Sequence, residues 1–196
     1  VIRLHATQKL LAKLPLGPGG RLKSKRGLGH ASDGAANDAA ESPLSGWHAN
    51  LLLLQRRQCV LMLHDTTRFP VFLPVLKKDD FAELDYWFVD GFMNTLLKMG
   101  ADEAVMERAQ GMLGPLVCDS ATDRSVLGTL NQMGQDLGHR LAYGDSQVTD
   151  LSPYKTSIWL AQMPRTLKGV KAAHWPIDAM FELLGGKTPA RTLNFP

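Results

Sequence analysis

The chain opens on a strict alternation: Ile2, Leu4 and Ala6 are apolar, while Arg3, His5 and Thr7 are polar. That period of two predicts a half-buried strand. Gln8 to Leu14 then groups Leu10, Leu11 and Leu14 on one helical face, and Pro15 ends the pattern. After a break in texture, Trp47–Gln55 and Gln58–His64 form two strongly apolar runs separated by Arg56-Arg57. Asp65-Thr66-Thr67-Arg68 leads into a third run, Phe69-Pro70-Val71-Phe72-Leu73-Pro74. Three short runs bounded by polar pairs predict an antiparallel meander. Pro70 and Pro74 cannot donate to a ladder, so the third strand belongs at an edge.

The register can be argued from the turns. With Arg56-Arg57 as a two-residue turn, Gln55 faces Gln58, His48 lies opposite Asp65, and Asn50 lies opposite Leu63. With Thr66-Thr67 as the second turn, Arg68 faces Asp65. Period-two alternation then places His48, Asn50, Asp65 and Arg68 on one face near one end of the sheet, with Arg56 and Arg57 at the other.

The remainder reads as helix. Phe81, Leu84, Phe88, Phe92, Leu96 and Met99 recur at three- and four-residue spacing, and Asp80 with Glu83 reads as a capping box. A second helix is predicted over Ala101–Leu113, a brief strand at Leu116–Cys118, and a long helix over Arg124–Tyr143. Shorter helices follow at Pro153–Met163 and Pro176–Leu184. Strands grouped early and helices late predict an α+β fold, a small antiparallel meander packed against a helical layer.

Composition adds domain limits. Residues 15–46 are rich in Gly, Ala, Ser and Asp and poor in large apolar anchors, so they read as a mobile, dispensable insertion. The expectation is a single domain over residues 1–184 with that insertion, followed by a flexible tail at 185–196. Hydrophobic residues make up 44% of the 196-residue chain and charged residues 21%, which excludes global disorder. No apolar run reaches the ~20 residues of a membrane span, and no export signal is visible at the start. Cys59 and Cys118 form no C-x-x-C pair, which suits a reducing cytoplasm.

The net charge of +3 is unevenly spread. Residues 1–60 carry nine Lys/Arg against three Asp/Glu, residues 61–123 five against eleven, and residues 124–196 eight against five. Only the first third offers a basic face, centred on Arg21–Arg26, and it lacks the interleaved aromatics of a base-stacking surface.

Most chemical motifs fail on context. Gly186-Lys187-Thr188 lacks the first glycine of a P-loop and a following helix. Gly144-Asp145-Ser146 lacks the Asp-x-x-His block that follows in such hydrolases, since His174 precedes Asp178. The six histidines form no H-x-x-x-H or H-E-x-x-H pair, so neither metal nor cofactor is expected. The meander end remains. A histidine beside a carboxylate has the elements of a general base, and an arginine those of an anion clamp. His48, Asp65 and Arg68 are therefore the candidate catalytic residues, and Asn50, Arg56 and Arg57 the candidate ligand-binding ones.

Trp47-His48-Ala49-Asn50-Leu51, Arg56-Arg57, Asp65, Arg68-Phe69-Pro70-Val71, Leu76 to Phe81, Leu84-Asp85, Asp123 to Gly128 and Leu130-Asn131 carry a resemblance, as does Ile2 to Thr7. With these residues the chain resembles an uncharacterised bacterial family of hypothetical proteins, a domain of unknown function. The resemblance implies no activity and no catalytic residue. Some relatives are joined to plasmid- or transposon-derived domains, which implies a link to mobile genetic elements. Together with the missing catalytic signatures, it leads to a non-catalytic binding or regulatory module of the bacterial cytoplasm, with a protein or nucleic-acid partner and no membrane association. The alternative is a small enzyme acting on a phosphorylated or nucleic-acid substrate through His48, Asp65 and Arg68.

Overall fold

A computed structural model of the chain describes residues 1–24, 41–167, 169 and 171–191. Strand β1 (Ile2–Ala6) leads through helix α1 (Gln8–Leu11) and a long connection to the hairpin of β2 (Trp47–Leu54) and β3 (Arg57–His64). Strand β4 (Pro70–Leu73), helices α2 (Leu84–Lys98) and α3 (Glu103–Met112), and strand β5 (Leu116–Asp119) follow. Helices α4 (Arg124–Tyr143), α5 (Pro153–Ala161) and α6 (Pro176–Leu183) complete the chain. The fold is α+β.

The sheet corrects the expected architecture. The β2-β3-β4 meander is present, but it is part of a five-stranded sheet of order β4-β3-β2-β1-β5. Strand β1 runs parallel to both β2 and β5, so the sheet is mixed rather than purely antiparallel. The physical reason is the length of the connections: parallel strands need a crossover of a dozen or more residues, and β1 reaches β2 through α1 and the long connection, while β4 reaches β5 through α2 and α3. Ile2, Leu4 and Ala6 are buried on one face of β1, between β2 and β5.

Helices cover both faces, where a single helical layer was expected. On one side Trp47, Val60, Met62 and Phe69 meet Phe88 and Phe92 of α2. On the other, Leu61, Leu63 and Phe72 meet Val126, Leu130, Met133 and Leu137 of α4. Both faces of β3 are buried because its run from Cys59 to His64 is apolar at nearly every position. Helix α2 approaches closely where Gly91 lies: a Cβ there would stand 2.9 Å from Val71 Cγ1. Strand β4 is an edge strand, and its backbone is covered by α5, with Phe72 N–H donating to Ser157 Oγ at 2.9 Å.

Two registers were inferred from the turns. In the β2–β3 hairpin Leu54 pairs with Arg57, so His48 faces Leu63 and Asn50 faces Leu61, two positions from the expected pairing. The turn residues are Gln55 and Arg56, both left-handed at φ 46° and 65°. Gln55 holds that conformation through its side chain, which accepts from Val148 N–H at 2.7 Å. A shift of two positions preserves side-chain parity, so His48 and Asp65 still share a face. The β3–β4 register is as inferred, with Leu63 opposite Pro70, but the reversal spans Asp65–Arg68 rather than Thr66-Thr67 alone. Helix α2 begins at Leu84, without the expected capping box: Asp80 Oδ2 accepts from Lys77 N–H, and Glu83 makes no cap bond.

Of the insertion placed at 15–46, residues 25–40 lie outside the described residues. Its described flanks pack on the body. Arg21 bridges to Val117 of β5, and Gly20, at φ 75°, lies so close to β5 that a Cβ would meet Cys118 O at 2.2 Å. Leu44 is fully buried, and Trp47 Nε1 donates to its carbonyl. At the other end of the chain Gly185 and Arg191 contact Arg108 and Asp178, while residues 192–196 lie outside the described residues.

Candidate functional site

Parallel pairing places His5 beside His48 on one flank and beside Asp119 on the other, all on one face. The row His48–His5–Asp119 therefore crosses β2, β1 and β5. His5 and Asp119 sit at the carboxyl ends of their strands. Strand β1 is also where the chain's path through the sheet reverses direction, with β2 on one side and β5 on the other. Open sheets with parallel strands place ligand crevices at that location.

The hydrogen bonds define each group's state. Asp123 N–H donates to His48 Nε2 at 2.8 Å, so that nitrogen is an acceptor and Nδ1 carries the proton. Nδ1 then donates to Asp65 Oδ1 at 2.7 Å. His48 is only 2% exposed, and both its nitrogens are engaged within the protein. Next to it, with ring centroids 4.9 Å apart, His5 donates from Nδ1 to Asp119 Oδ1 at 2.6 Å. Its Nε2 lies 3.7 Å from Asp65 Oδ2, and neither of these two atoms has a hydrogen bond among the described residues. Asp65 thus stands between two histidines, bonded to one and facing the other.

Helix α4 completes the rim. Asp123 is its N-cap, its Oδ1 accepting from Ser125 N–H at 2.7 Å and Val126 N–H at 3.2 Å. Those two N–H groups hold the Asp123 carboxyl below its usual range. Burial pushes the Asp119 carboxyl up, but His5, the Ala121 N–H and Arg3 outweigh it and lower its pKa.

The expected residues separate into three groups. His48 and Asp65 are brought together as the sequence implied. Arg68 lies at the same end, left-handed at φ 58° and 8% exposed, with Nη2 donating to Ser125 Oγ at 3.3 Å. Its Nε and Nη1 are buried without a hydrogen-bond partner among the described residues. Burial lowers its pKa, against the opposing charges of Asp123 and Asp65. In this arrangement Arg68 braces the β3–β4 turn against α4. Asn50 accepts from Thr7 Oγ1 at 2.9 Å and ties β2 to the end of β1. Arg56 and Arg57 are exposed at the hairpin tip, at the opposite end of the sheet.

His5, Asp119 and Asp123 are the members that sequence reasoning missed. The only local signals were polar residues closing apolar strands, at His5 and Asp119, and a cap residue opening α4. Among the described residues no three His, Cys, Asp or Glu side chains converge as metal ligands would.

The fold and this cluster define the class: an α+β protein with a mixed sheet and a histidine–aspartate cluster where the carboxyl ends of β1 and β5 meet the amino end of β2. The chain belongs to the family described as a domain of unknown function, DUF6933, whose model matches residues 3–179. No curated protein and no solved structure matches it.

Proposed function

We propose that this is a non-catalytic binding or regulatory module of the bacterial cytoplasm, and that its crevice receives a cationic side chain of a protein partner. The observation that carries the reading is the pair Asp65 Oδ2 and His5 Nε2, without a hydrogen bond and 3.7 Å apart on side chains that are 27% and 16% exposed. Asp65 supplies one side of that point, Asp119 holds the other nitrogen of His5, and Asp123 caps α4 beside His48, while of the nearby cations Arg68 has its Nε and Nη1 buried and Arg3 is paired with Glu41. Negative charge at the rim favours a Lys or Arg over a phosphate. His48, with both nitrogens engaged, supports the non-catalytic reading. Cys59 and Cys118, both free and buried, are consistent with a reducing compartment; burial pushes the Cys118 thiol up to about 12. The link to mobile genetic elements belongs to the same proposal and rests on resemblance alone. Among the described residues no helix is long and apolar enough to cross a membrane.

One observation favours the alternative enzyme. A carboxylate holds His5 Nδ1 and leaves Nε2 unbonded, the arrangement of an oriented general base. On this reading His5 replaces His48 in the role of base.

Fluorescence anisotropy with labelled Lys/Arg-rich peptides and with labelled oligonucleotides tests the proposal. Peptides are expected to bind, and Asp65→Asn and Asp119→Asn to weaken them about tenfold, the loss of one charge-assisted hydrogen bond. Peptide binding indifferent to both substitutions, or binding of oligonucleotides alone, rejects it.

A further inference from the structure

A second site lies at the opposite end of the sheet. Lys13, Gln58, Leu76, Lys77, Lys78 and Phe81 line a cavity of about 270 Å³. Gln58 stands six positions before His64 on β3, about 20 Å along the strand from the end that carries the histidine–aspartate cluster. Three segments distant in sequence meet here: the turn after α1, the start of β3, and the connection from β4 to α2.

The backbone around the cavity is fixed. Lys13 N–H donates to Leu10 O at 2.8 Å, and its neighbour Leu14 is buried. Val75 is a β-branched residue at φ 53°, a conformation such residues rarely adopt. The next two peptides are held by Leu76 N–H donating to Gln58 O and Lys77 N–H donating to Asp80 Oδ2, both at 2.7 Å. Strain of this kind persists where surrounding structure enforces it, and here it lays Lys77 and Lys78 beside the start of β3.

The charges, by contrast, are unopposed. Lys13, Lys77 and Lys78 are exposed, and none of their ammonium groups has a hydrogen bond or ion pair among the described residues. Asp79, Asp80 and Glu83 follow in sequence, but no carboxylate is among the described residues that line the cavity. Asp80 Oδ2 is turned to Lys77 N–H, and Glu83 accepts from Ser24 Oγ. Like charges gathered without a counterion repel one another, and an anion between them relieves that repulsion. Lysine carries its charge on a long flexible stem, so exposed ammonium groups close on one ligand without moving the backbone.

We propose that this cavity binds a small phosphorylated molecule, whose phosphoryl group is held by Lys13, Lys77 and Lys78 and whose hydroxyl groups bond to the Gln58 amide. A phosphoryl group carries roughly two negative charges on three acceptor oxygens, which matches three ammonium donors better than a single carboxylate does. The Gln58 side chain makes no hydrogen bond among the described residues, and its amide offers both a donor and an acceptor, the pair a hydroxyl needs. Leu76 and Phe81 supply an apolar wall for the carbon frame. The cavity is a little smaller than the ~300–1,000 Å³ of pockets for drug-sized ligands, a size for a compact ester. A nucleic-acid strand calls instead for a groove that tracks its backbone and for aromatic rings to stack its bases. This site is independent of the histidine–aspartate cluster.

Isothermal titration calorimetry of the full chain at low salt, with ribose 5-phosphate, ribose and a single-stranded oligonucleotide, tests this. Ribose 5-phosphate is expected to bind and ribose not. Lys13→Gln, Lys77→Gln and Lys78→Gln, at exposed positions where substitution spares the fold, should each weaken it about threefold, and the triple variant about thirtyfold. Lys187→Gln removes the same charge from an exposed position outside the cavity and should leave the affinity unchanged. Absence of binding at millimolar ribose 5-phosphate overturns the proposal. So does equal weakening by Lys187→Gln, the mark of attraction to net charge alone. Tighter binding of the oligonucleotide through the same three lysines overturns it as well, since the site is then a nucleic-acid contact.

Discussion

At the scale of single residues, three histidines of one sheet have three different fates. His48 is consumed by structure: removing it orphans Asp123 N–H and one bond of Asp65. His48→Ala is expected to cost about 2–3 kcal/mol, measured by urea unfolding, whereas His5→Gln in the same cluster should cost less than about 1 kcal/mol. His64 points to the other face, fully buried against Trp47, and Thr67 N–H donates to its Nδ1. Burial lowers its pKa from 6.5 to about 4, with the charge of Asp65 opposing. The unfolded chain therefore takes up a proton near pH 6.5 that the native state refuses until about pH 4. Stability should fall as pH drops through that window, by roughly 3 kcal/mol. Urea unfolding at pH 7.5 and pH 4.5 checks this: His64→Gln should show a clearly smaller drop than wild type.

At the scale of elements, helix α2 and the β2–β3 hairpin illustrate how packing and turn chemistry divide the work. Phe88 is fully buried, stacked on Phe92 and edge-on to Trp47, so the stripe Phe81–Leu84–Phe88–Phe92–Leu96 faces the sheet. Phe88→Ala should cost about 3–5 kcal/mol; a cost under about 1 kcal/mol would contradict the packing. The hairpin carries the opposite kind of residue. Arg56 is exposed and left-handed at φ 65°, a conformation that glycine adopts freely. Arg56→Gly should therefore raise stability by about 0.5–1 kcal/mol, seen as a higher urea midpoint with an unchanged slope. A loss would show that Arg56 makes a contact worth more than the strain it bears.

At the scale of the whole molecule, the sheet separates two apolar cores, and one of its interior strands, β1, comes from the chain start. Strand β1 has partners on both flanks, so the crevice exists only once residues from both halves of the chain have assembled. The connection from α1 to β2 is part of that assembly at both described ends, through Arg21 against β5 and Leu44 in the core. Replacing only residues 25–40 by a short Gly-Ser linker should leave the melting temperature within a few degrees, on the compositional argument. Deleting Gly17 to Glu41 should lower it further, because that cut also removes the Arg21–Val117 bridge and the Ser24–Glu83 hydrogen bond. Equal melting temperatures for the two deletions would show that the docked flanks contribute nothing.

Local periodicity determined a good deal. Alternation placed Ile2, Leu4 and Ala6 inward, the three-and-four spacing set the buried face of α2, and the pattern over Arg124–Tyr143 defined the longest helix. Parity even survived a wrong turn, since a two-position shift left His48 and Asp65 on one face. Tertiary structure decided the rest, because a repeat pattern reports which face a residue occupies and not which neighbour it meets. His5 and Asp119 are 114 residues apart, and only parallel pairing of β1 with β5 joins them. Arg68 and Ser125 meet because α4 happens to start above the β3–β4 turn. The meander was legible since its contacts are a few residues apart. The mixed sheet, the second helical layer and most of the crevice depend on contacts between distant segments, which are chosen by how the two cores close and leave little trace in any local window.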